Sequence, residues 1–351
     1  KEPMAKHFII TNRQVTPPRG RVTEEKIQAS GTEEAGDNLR FGHLQIKKDS
    51  RARPDYALIP DPDLPEEMRR QLLLLDIEPT ERRYKLGSRK MFEAIHRAGL
   101  KEATDEAHLL LFIHDHATDL NQALDQMRYL HEYFVEEAES PIQHLVLFTW
   151  PATDNKLDYR DDARDAVRSG YALARAYKKM KRFFRNLALE GTPFCEQRIH
   201  VIAQGMGARV VEAMLEELLR TNTVVNNTFG EVFLMAADVD YDGFDAPRPL
   251  YHLIESCERV HLYYHNYDEA LGNSENTKNA LNRLGRWGAK NSLRLPDDVY
   301  QADVTGIEDI AREDKKQRVP GPANHYYLFN QQAVVEDLID VLNGRESIFT
   351  F

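Results

Sequence analysis

The stretch that most constrains the fold is residues 198–214, RIHVIAQGMGARVVEAM, where an apolar run meets two glycines and then a helical pattern. Residues 198–204 hold a short apolar run, Ile199, Val201, Ile202 and Ala203, that is rich in β-branched side chains. Such a run is typical of a strand buried on both faces of a sheet. Gly205 and Gly207 interrupt the run, and from residue 208 to 220 the apolar side chains recur at helical spacing. We therefore predict a buried strand, a sharp turn and a helix.

Length and charge set the class of protein. The chain has 351 residues, is 42% hydrophobic and carries a net charge of −11. That charge opposes binding to a nucleic-acid backbone, so we expect no nucleic-acid partner. No apolar run approaches the roughly 20 residues of a membrane span, so none is predicted. Cys195 and Cys257 do not make a disulfide framework, and we expect two reduced thiols and a cytoplasmic location.

Strand-like and helix-like segments alternate through most of the chain, which favours a largely parallel sheet. In the N-terminal part we predict strands at 8–12, 39–46 and 55–59, a loop at 16–37, and helices at 66–77 and 88–98, the last with Ser88 as N-cap and Gly99 as its end. Further on we predict strands at 109–114, 144–150, 198–204, 231–239, 260–265 and 299–305, and helices at 119–138, 159–189, 208–220, 269–284 and 331–343.

This pattern predicts an α/β fold with a mostly parallel central sheet flanked by helices on both faces. We expect residues 1–100 to form an N-terminal extension of strands, loop and helices. This extension would pack on a core at residues 101–351 that forms one structural unit.

Polar residues follow several of these strands, and the carboxyl ends of parallel strands are where functional residues collect. They are His114, Asp115 and His116, then Gly205 and Met206, then Asp268 and finally His325. The chain order of turn, acid and histidine is the order in which an α/β-hydrolase presents nucleophile, acid and base.

Short segments in order along nearly the whole chain carry a resemblance to a known family. They are FIITNR at 8–13, LRFGH at 39–43, LLFIH at 110–114, FTWP at 148–151, YRDD at 159–162, residues 198–209, GEVFLMAADVD at 230–240, YYHNYDEAL at 263–271 and NHY at 324–326. The chain resembles a bacterial α/β-hydrolase family of unknown function. The resemblance implies the α/β-hydrolase fold, with Asp268 as acid and His325 as base.

Two departures from the family pattern fall on its catalytic positions. The family has His-Ser-Met-Gly at the turn, where this chain has Gln204-Gly205-Met206-Gly207, and His-Gly after the first core strand, where it has His114-Asp115. Gly205 supplies no nucleophile, and Asp115 would place negative charge where an oxyanion must develop.

We therefore predict a catalytically impaired α/β-hydrolase that binds a small-molecule ligand or a protein partner. The candidate binding residues are His114, Asp115, His116, Trp150, Gln204 and Met206. We expect no metal and no cofactor, although the sequence His114-Asp115-His116 would also suit a fragment of a metal site.

Other interpretations remain open from the sequence. Asp268 and His325 would also suit a weak ester or acyl hydrolase in which the imidazole activates water. A third function is a structural or assembly subunit, including a homo-oligomer, in which residues 16–37 order on a partner. Asp268 would serve equally as a helix cap and His325 as a packing residue. Gly205 is either natural or an engineered change of a serine enzyme.

Overall fold

Strands and helices alternate along the chain in the computed structural model of this protein. The structure describes residues 4–17, 24–29, 39–47, 51–75, 77–79, 81–102, 108–191, 198–307 and 318–350. The strands are β1 (Met4–Thr11), β2 (Val15–Thr16), β3 (Lys26–Ile27), β4 (Arg40–Lys47), β5 (Asp55–Leu58), β6 (His108–Ile113), β7 (Ile142–Thr149), β8 (Ile199–Gln204), β9 (Phe229–Met235), β10 (Cys257–Tyr264) and β11 (Val299–Asp303). The helices are α1 (Glu66–Leu75), α2 (Gly87–Glu102), α3 (Leu120–Phe134), α4 (Tyr159–Leu189), α5 (Gly207–Arg220), α6 (Glu269–Thr277), α7 (Leu284–Trp287), α8 (Tyr327–Asn330) and α9 (Gln332–Leu342).

The central sheet has the strand order β11-β10-β9-β8-β6-β7-β1-β4-β5. Pairing is parallel from β11 through to β1, and β4 and β5 add an antiparallel edge. This confirms the predicted α/β fold with a mostly parallel sheet and N-terminal β strands. Because β1 lies between β7 and β4, the N-terminal strands continue the sheet of the core, and the predicted boundary at residue 100 stays a prediction.

The sheet separates two apolar cores, because successive side chains on a strand point to opposite faces. On β6, Leu109, Leu111 and Ile113 pack in the core that contains α2, α4 and α5. Leu110 and Phe112 pack in the core that contains α3 and α9. Each such side chain contributes roughly 1.5–3 kcal/mol on burial, which makes β6 and its neighbours a rigid platform for whatever follows their carboxyl ends.

Both predicted ends of α2 are wrong. The helix begins at Gly87, before Ser88, because the carboxylate of Asp61 accepts the Gly87 N–H at 2.7 Å and so supplies the cap from a distant loop. It also continues through Gly99 to Glu102. A glycine inside a helix costs only about 1 kcal/mol relative to alanine, less than the helix gains from its buried side.

The helix predicted at 269–284 ends early, at Thr277, and a separate short helix, α7, begins only at Leu284. Between them the backbone of Arg283 is extended, with φ −98° and ψ 137°. The Arg283 guanidinium is fully buried and donates to Asp238 and Asp240. These ion pairs hold residue 283 in its extended conformation, which is incompatible with a continuous helix. Strand β9 ends at Met235, short of the predicted residue 239, since Ala236 has φ +48°.

The loop predicted at 16–37 falls partly outside the described residues. In its described part, Lys26–Ile27 pairs with Val15–Thr16 as a short antiparallel ribbon. Cys195 also lies outside the described residues, while Cys257 is a free, buried cysteine whose thiol donates to the carbonyl of Leu253.

Gly170 of α4 lies directly against α5, and it provides a test of this packing. A Cβ at this position would lie 2.5 Å from Ala213 Cβ and 2.7 Å from the Val210 carbonyl oxygen. We expect Gly170→Val to lower the free energy of unfolding by about 2–3 kcal/mol through overpacking, measured by urea denaturation. Gly306→Val is the matched control, because nothing lies within 4 Å of that exposed glycine and the expected change is within about 0.5 kcal/mol.

Candidate functional site

Three side chains that are far apart in sequence meet beyond the carboxyl ends of β6, β8 and β10. His325 Nδ1 lies 2.7 Å from Asp268 Oδ2, and His325 Nε2 lies 2.8 Å from Asp115 Oδ2. All three residues are at most 1% exposed. β6 and β8 are adjacent although β7 intervenes in sequence, and this is the kind of topological switch point at which α/β sheets place their sites.

Asp268 caps a helix and also contacts His325, and its role as a catalytic acid stays a prediction. Its Oδ1 accepts the Leu271 N–H at 2.9 Å and caps α6, while its Oδ2 contacts His325. The cap fixes the carboxylate, and the fixed carboxylate holds the imidazole in one orientation.

The turn between β8 and α5 is sharp and depends on glycine. Gly205 has φ +53°, the left-handed region, and its N–H donates to the carbonyl of Met235 at 2.9 Å. Its own carbonyl accepts the Asp238 N–H at 2.9 Å. The next residue, Met206, directs its N–H at Asp115 Oδ1 at 2.7 Å.

The carboxylate of Asp115 lies directly over Gly205. A Cβ built on Gly205 would be 2.6 Å from Asp115 Oδ2 and closer still to Oδ1. Oδ1 accepts the backbone N–H groups of Met206 and His116, both at 2.7 Å, and lies 3.0 Å from His116 Nδ1. Oδ2 accepts from His325 and, at 3.3 Å, from the hydroxyl of Tyr326. The space above the turn is therefore filled by a fully hydrogen-bonded carboxylate.

The charges of this cluster follow from its hydrogen bonds. Both ring nitrogens of His325 face carboxylate oxygens, which only accept, so both carry a proton. Burial alone lowers the pKa of His325, but the charges and hydrogen bonds of Asp268 and Asp115 outweigh it and raise this pKa well above its ordinary value. Burial alone raises the pKa of Asp115, but His116 and His325 outweigh it and hold this pKa well below the usual range.

The other two groups of the cluster have raised pKa values for different reasons. Burial is the largest effect on Asp268 and raises its pKa despite the neighbouring His325. Burial lowers the pKa of His116, but the Asp115 carboxylate reverses that and raises it. The arrangement is a buried ion pair of Asp115 and protonated His325, braced by Asp268 and His116.

A profile of a family described as alpha/beta hydrolase of unknown function matches residues 92–341, well over half of the chain. The chain belongs to this family of alpha/beta hydrolases. The uncharacterized protein alr1448 of Nostoc sp. (strain PCC 7120) is 27% identical over 176 residues, a match that covers 42% of this chain and 43% of that relative. The match thus spans less than half of the length of that relative. No solved structure matches the chain significantly.

Four of the predicted binding residues of this hydrolase-family chain are buried behind the carboxylate cluster. His114 Nε2 accepts the backbone N–H of Trp150 at 3.2 Å. The ring proton of His114 is therefore on Nδ1, which donates to the Asp115 carbonyl at 2.8 Å. Burial, reinforced by Arg13, lowers the pKa of His114 to about 3. Trp150 stacks on His114, Met206 supplies its N–H to Asp115, and Gln204 Nε2 donates to the His325 carbonyl at 3.1 Å. These residues orient the two turns that carry Asp115 and His325.

His116 is the predicted binding residue that reaches open space. Together with His325 it lines a cleft of about 680 Å³ bounded by α3, α6 and residues 318–326, which we term the α3–α6 cleft. Asp115 lies beneath the floor of this cleft, and His114, Trp150, Gln204 and Met206 do not line it. In the described part of the chain, no group of three or more His, Cys, Asp or Glu side chains is arranged to hold a metal.

Arg13 and Tyr326 support the site and were not singled out by the sequence. Arg13 is 2% exposed and donates to Thr149 Oγ1 and to the carbonyls of Thr118, Ala152 and Ala29, which ties together the loops beyond β6 and β7. Burial lowers its pKa to about 10. Two features of the sequence could have indicated these residues. Arg13 belongs to the TNR part of the segment FIITNR, and Tyr326 directly follows His325. Among the helices of the described residues, none is long and apolar enough to cross a membrane.

Proposed function

We propose that this chain is a non-hydrolytic member of its hydrolase family that functions by binding, with Gly205 in the place of the nucleophilic serine. The observation that carries the proposal is the position of Asp115, whose carboxylate fills the volume that a serine side chain on residue 205 would need. The turn at Gly205 has the strand-to-helix geometry of a nucleophile elbow and no side chain to attack with.

The same carboxylate opposes acyl transfer in a second way. In an α/β-hydrolase the N–H after the nucleophile and an N–H beyond the first core strand stabilise the developing oxyanion. The N–H groups of Met206 and His116 have these positions in the chain, and both are already bonded to Asp115 Oδ1. Loss of a single such donor costs roughly 10²–10³-fold in kcat.

A water-activating hydrolase that uses Asp268 and His325 is the alternative, and the geometry disfavours it. A general base needs a free lone pair within hydrogen-bond reach of the water. His325 Nε2 is 2.8 Å from Asp115 Oδ2, and the raised pKa of the ring favours its protonated form, which has no free lone pair. A structural or assembly subunit is also compatible with the buried cluster of Asp115, Asp268 and His325. In that case the bound partner would be a protein.

Two measurements on the purified chain test the proposal. We expect no covalent labelling by a fluorophosphonate probe, which requires an activated nucleophile, and no turnover of p-nitrophenyl acetate above the buffer rate. His325→Gln is the comparison variant and should behave like the wild type in both assays. Wild-type turnover that disappears in His325→Gln, with folding retained by circular dichroism, would establish the hydrolase instead.

A further inference from the structure

The α3–α6 cleft carries an excess of positive charge in a chain whose net charge is −11. The cationic side chains that line it are Arg51, Arg53, Arg128, Lys278 and Arg318, and the carboxylates are Asp125 and Asp154. Arg53 is paired with Asp125 at 2.9 Å and Arg318 with Glu132 at 2.8 Å. Within the described ranges the other three cations have no carboxylate partner. Three unpaired cations therefore face one unpaired carboxylate, that of Asp154.

His116 adds a free ring nitrogen to this cleft. Its Nδ1 lies 3.0 Å from Asp115 Oδ1, a carboxylate oxygen that only accepts, so Nδ1 carries a proton. Its Nε2 has no hydrogen-bond partner among the residues that the structure describes, and the side chain is 16% exposed where it lines the cleft. Burial lowers the pKa of His116, but the Asp115 carboxylate reverses this and raises it. The protonated ring is thereby favoured, and its Nε2–H is a charged donor.

Tyr159 has both this imidazole and one of the unpaired cations against its ring. The ring centroids of His116 and Tyr159 are 5.5 Å apart, and Lys278 Nζ lies 5.7 Å from the same Tyr159 centroid. Lys278 is exposed and directly follows α6, and its flexible four-carbon stem lets the ammonium turn toward a bound group. An anion that accepts from His116 Nε2 therefore has a second cation within reach.

The rest of the cleft has room for an organic group. Its volume of about 680 Å³ lies within the usual range of small-molecule sites and exceeds what a bare phosphate ion fills. On the α3 wall, Tyr129 lines the cleft with the guanidinium of Arg128 4.3 Å from its ring centroid. An aromatic ring and a stacked guanidinium offer a surface on which the planar or apolar part of a ligand can pack.

We propose that the α3–α6 cleft binds a small organic phosphate monoester, with a phosphate oxygen on His116 Nε2, Lys278 beside it and the organic group between α3 and α6. A phosphate monoester carries about −1.5 to −2 charges at neutral pH, which matches the surplus of unpaired cations better than the single charge of a carboxylate. Hydrogen bonds between a charged donor and a phosphate oxygen are among the stronger ones in proteins. The inference rests on the proposed function, because it names the class of ligand that a non-hydrolytic chain would bind.

The probes for this proposal are phenyl phosphate, benzoate and phenol, which share one ring and differ in charge. By isothermal titration calorimetry at pH 7 we expect phenyl phosphate to bind the full chain. Benzoate should bind about tenfold more weakly or worse, because it brings a single charge to the same cations, and phenol, which is neutral, should bind more weakly still.

Variants of two residues test the contacts. Lys278→Gln should weaken phenyl phosphate by about tenfold, while Lys290→Gln should not, because Lys290 is also exposed and lies 5.6 Å from a tyrosine ring centroid, that of Tyr241, but does not line the cleft. His116→Asn retains a donor near Asp115 and lacks Nε2, so it should weaken phenyl phosphate by about tenfold or more. His116→Gln, whose longer amide reaches the Nε2 position, should lose less. Thermal melting verifies that the variants fold.

The outcomes separate this inference from the proposed function. Absence of phenyl phosphate binding, or binding that either Lys278→Gln or His116→Asn leaves unchanged, overturns the inference and leaves the non-hydrolytic proposal intact. An affinity for benzoate that equals or exceeds that for phenyl phosphate overturns the assignment of a phosphate. A loss in His116→Gln as large as that in His116→Asn overturns the contact at Nε2. Hydrolysis of phenyl acetate by the wild type contradicts the proposed function, whatever the affinity for phenyl phosphate.

Discussion

The double substitution Asp115→Gly with Gly205→Ser is expected to give this chain ester hydrolysis at least about 10³-fold faster than either single variant. Removing the Asp115 side chain frees the N–H groups of Met206 and His116 and clears the volume above residue 205. It also frees His325 Nε2, which then has one carboxylate partner and is able to accept a proton from the new serine hydroxyl. Hydrolysis of p-nitrophenyl acetate and fluorophosphonate labelling measure the gain.

The single variants are the controls, and their behaviour should be strongly non-additive. Gly205→Ser alone places a Cβ on top of the Asp115 carboxylate and a side chain at φ +53°, so we expect it to be inactive and destabilised. Asp115→Gly alone has free donors and no nucleophile, and should be inactive but folded. Equal activity in Gly205→Ser and the double variant would contradict the role assigned to Asp115.

His325→Ala is expected to lower the free energy of unfolding by about 3–5 kcal/mol at pH 6. It leaves Asp115 and Asp268 buried near each other without the imidazolium that now lies between them. His252→Ala is a matched control, because His252 also contacts a carboxylate, Glu255, at 2.8 Å but lies on the surface. We expect less than about 1 kcal/mol there. Urea denaturation followed by circular dichroism gives both values.

The pH dependence of this loss has a defined sign. Two carboxylates outweigh burial and raise the pKa of His325 above its ordinary 6.5, so this stabilisation is complete below pH 6.5 and is lost as pH rises through the folded pKa. The pKa of Asp115 is held below its ordinary 3.8, because its histidine partners outweigh burial. Its contribution is therefore present above pH 3.8 and is lost as pH falls. The free energies of unfolding of the wild type and of His325→Ala should therefore differ most between pH 3.8 and pH 6.5. A difference in this free energy that grows below pH 3.8 would contradict the ion pair.

The local spacing of apolar residues was enough to predict most of the strands and helices. The strands and helices on both sides of the central turn were predictable because buried strands and amphipathic helices have different apolar periods. Asp268 and His325 could be selected because both follow strands in an order that matches a known chemistry. The start of α2 and the extended conformation of Arg283 before α7 were not predictable, because Asp61 and Asp238 act on them from distant parts of the chain.

The sequence by itself determined the α/β sheet, the glycine at its central turn and the acid and histidine that follow. Only the tertiary structure decided what fills the space above Gly205. Asp115 is 91 residues from Met206 and 210 from His325, and no local pattern reports contacts of that length. They form because β6 lies beside β8 in the sheet, which brings the two turns together at one edge. The sequence predicted an unfavourable charge near Gly205, and the fold places the Asp115 carboxylate directly over that glycine.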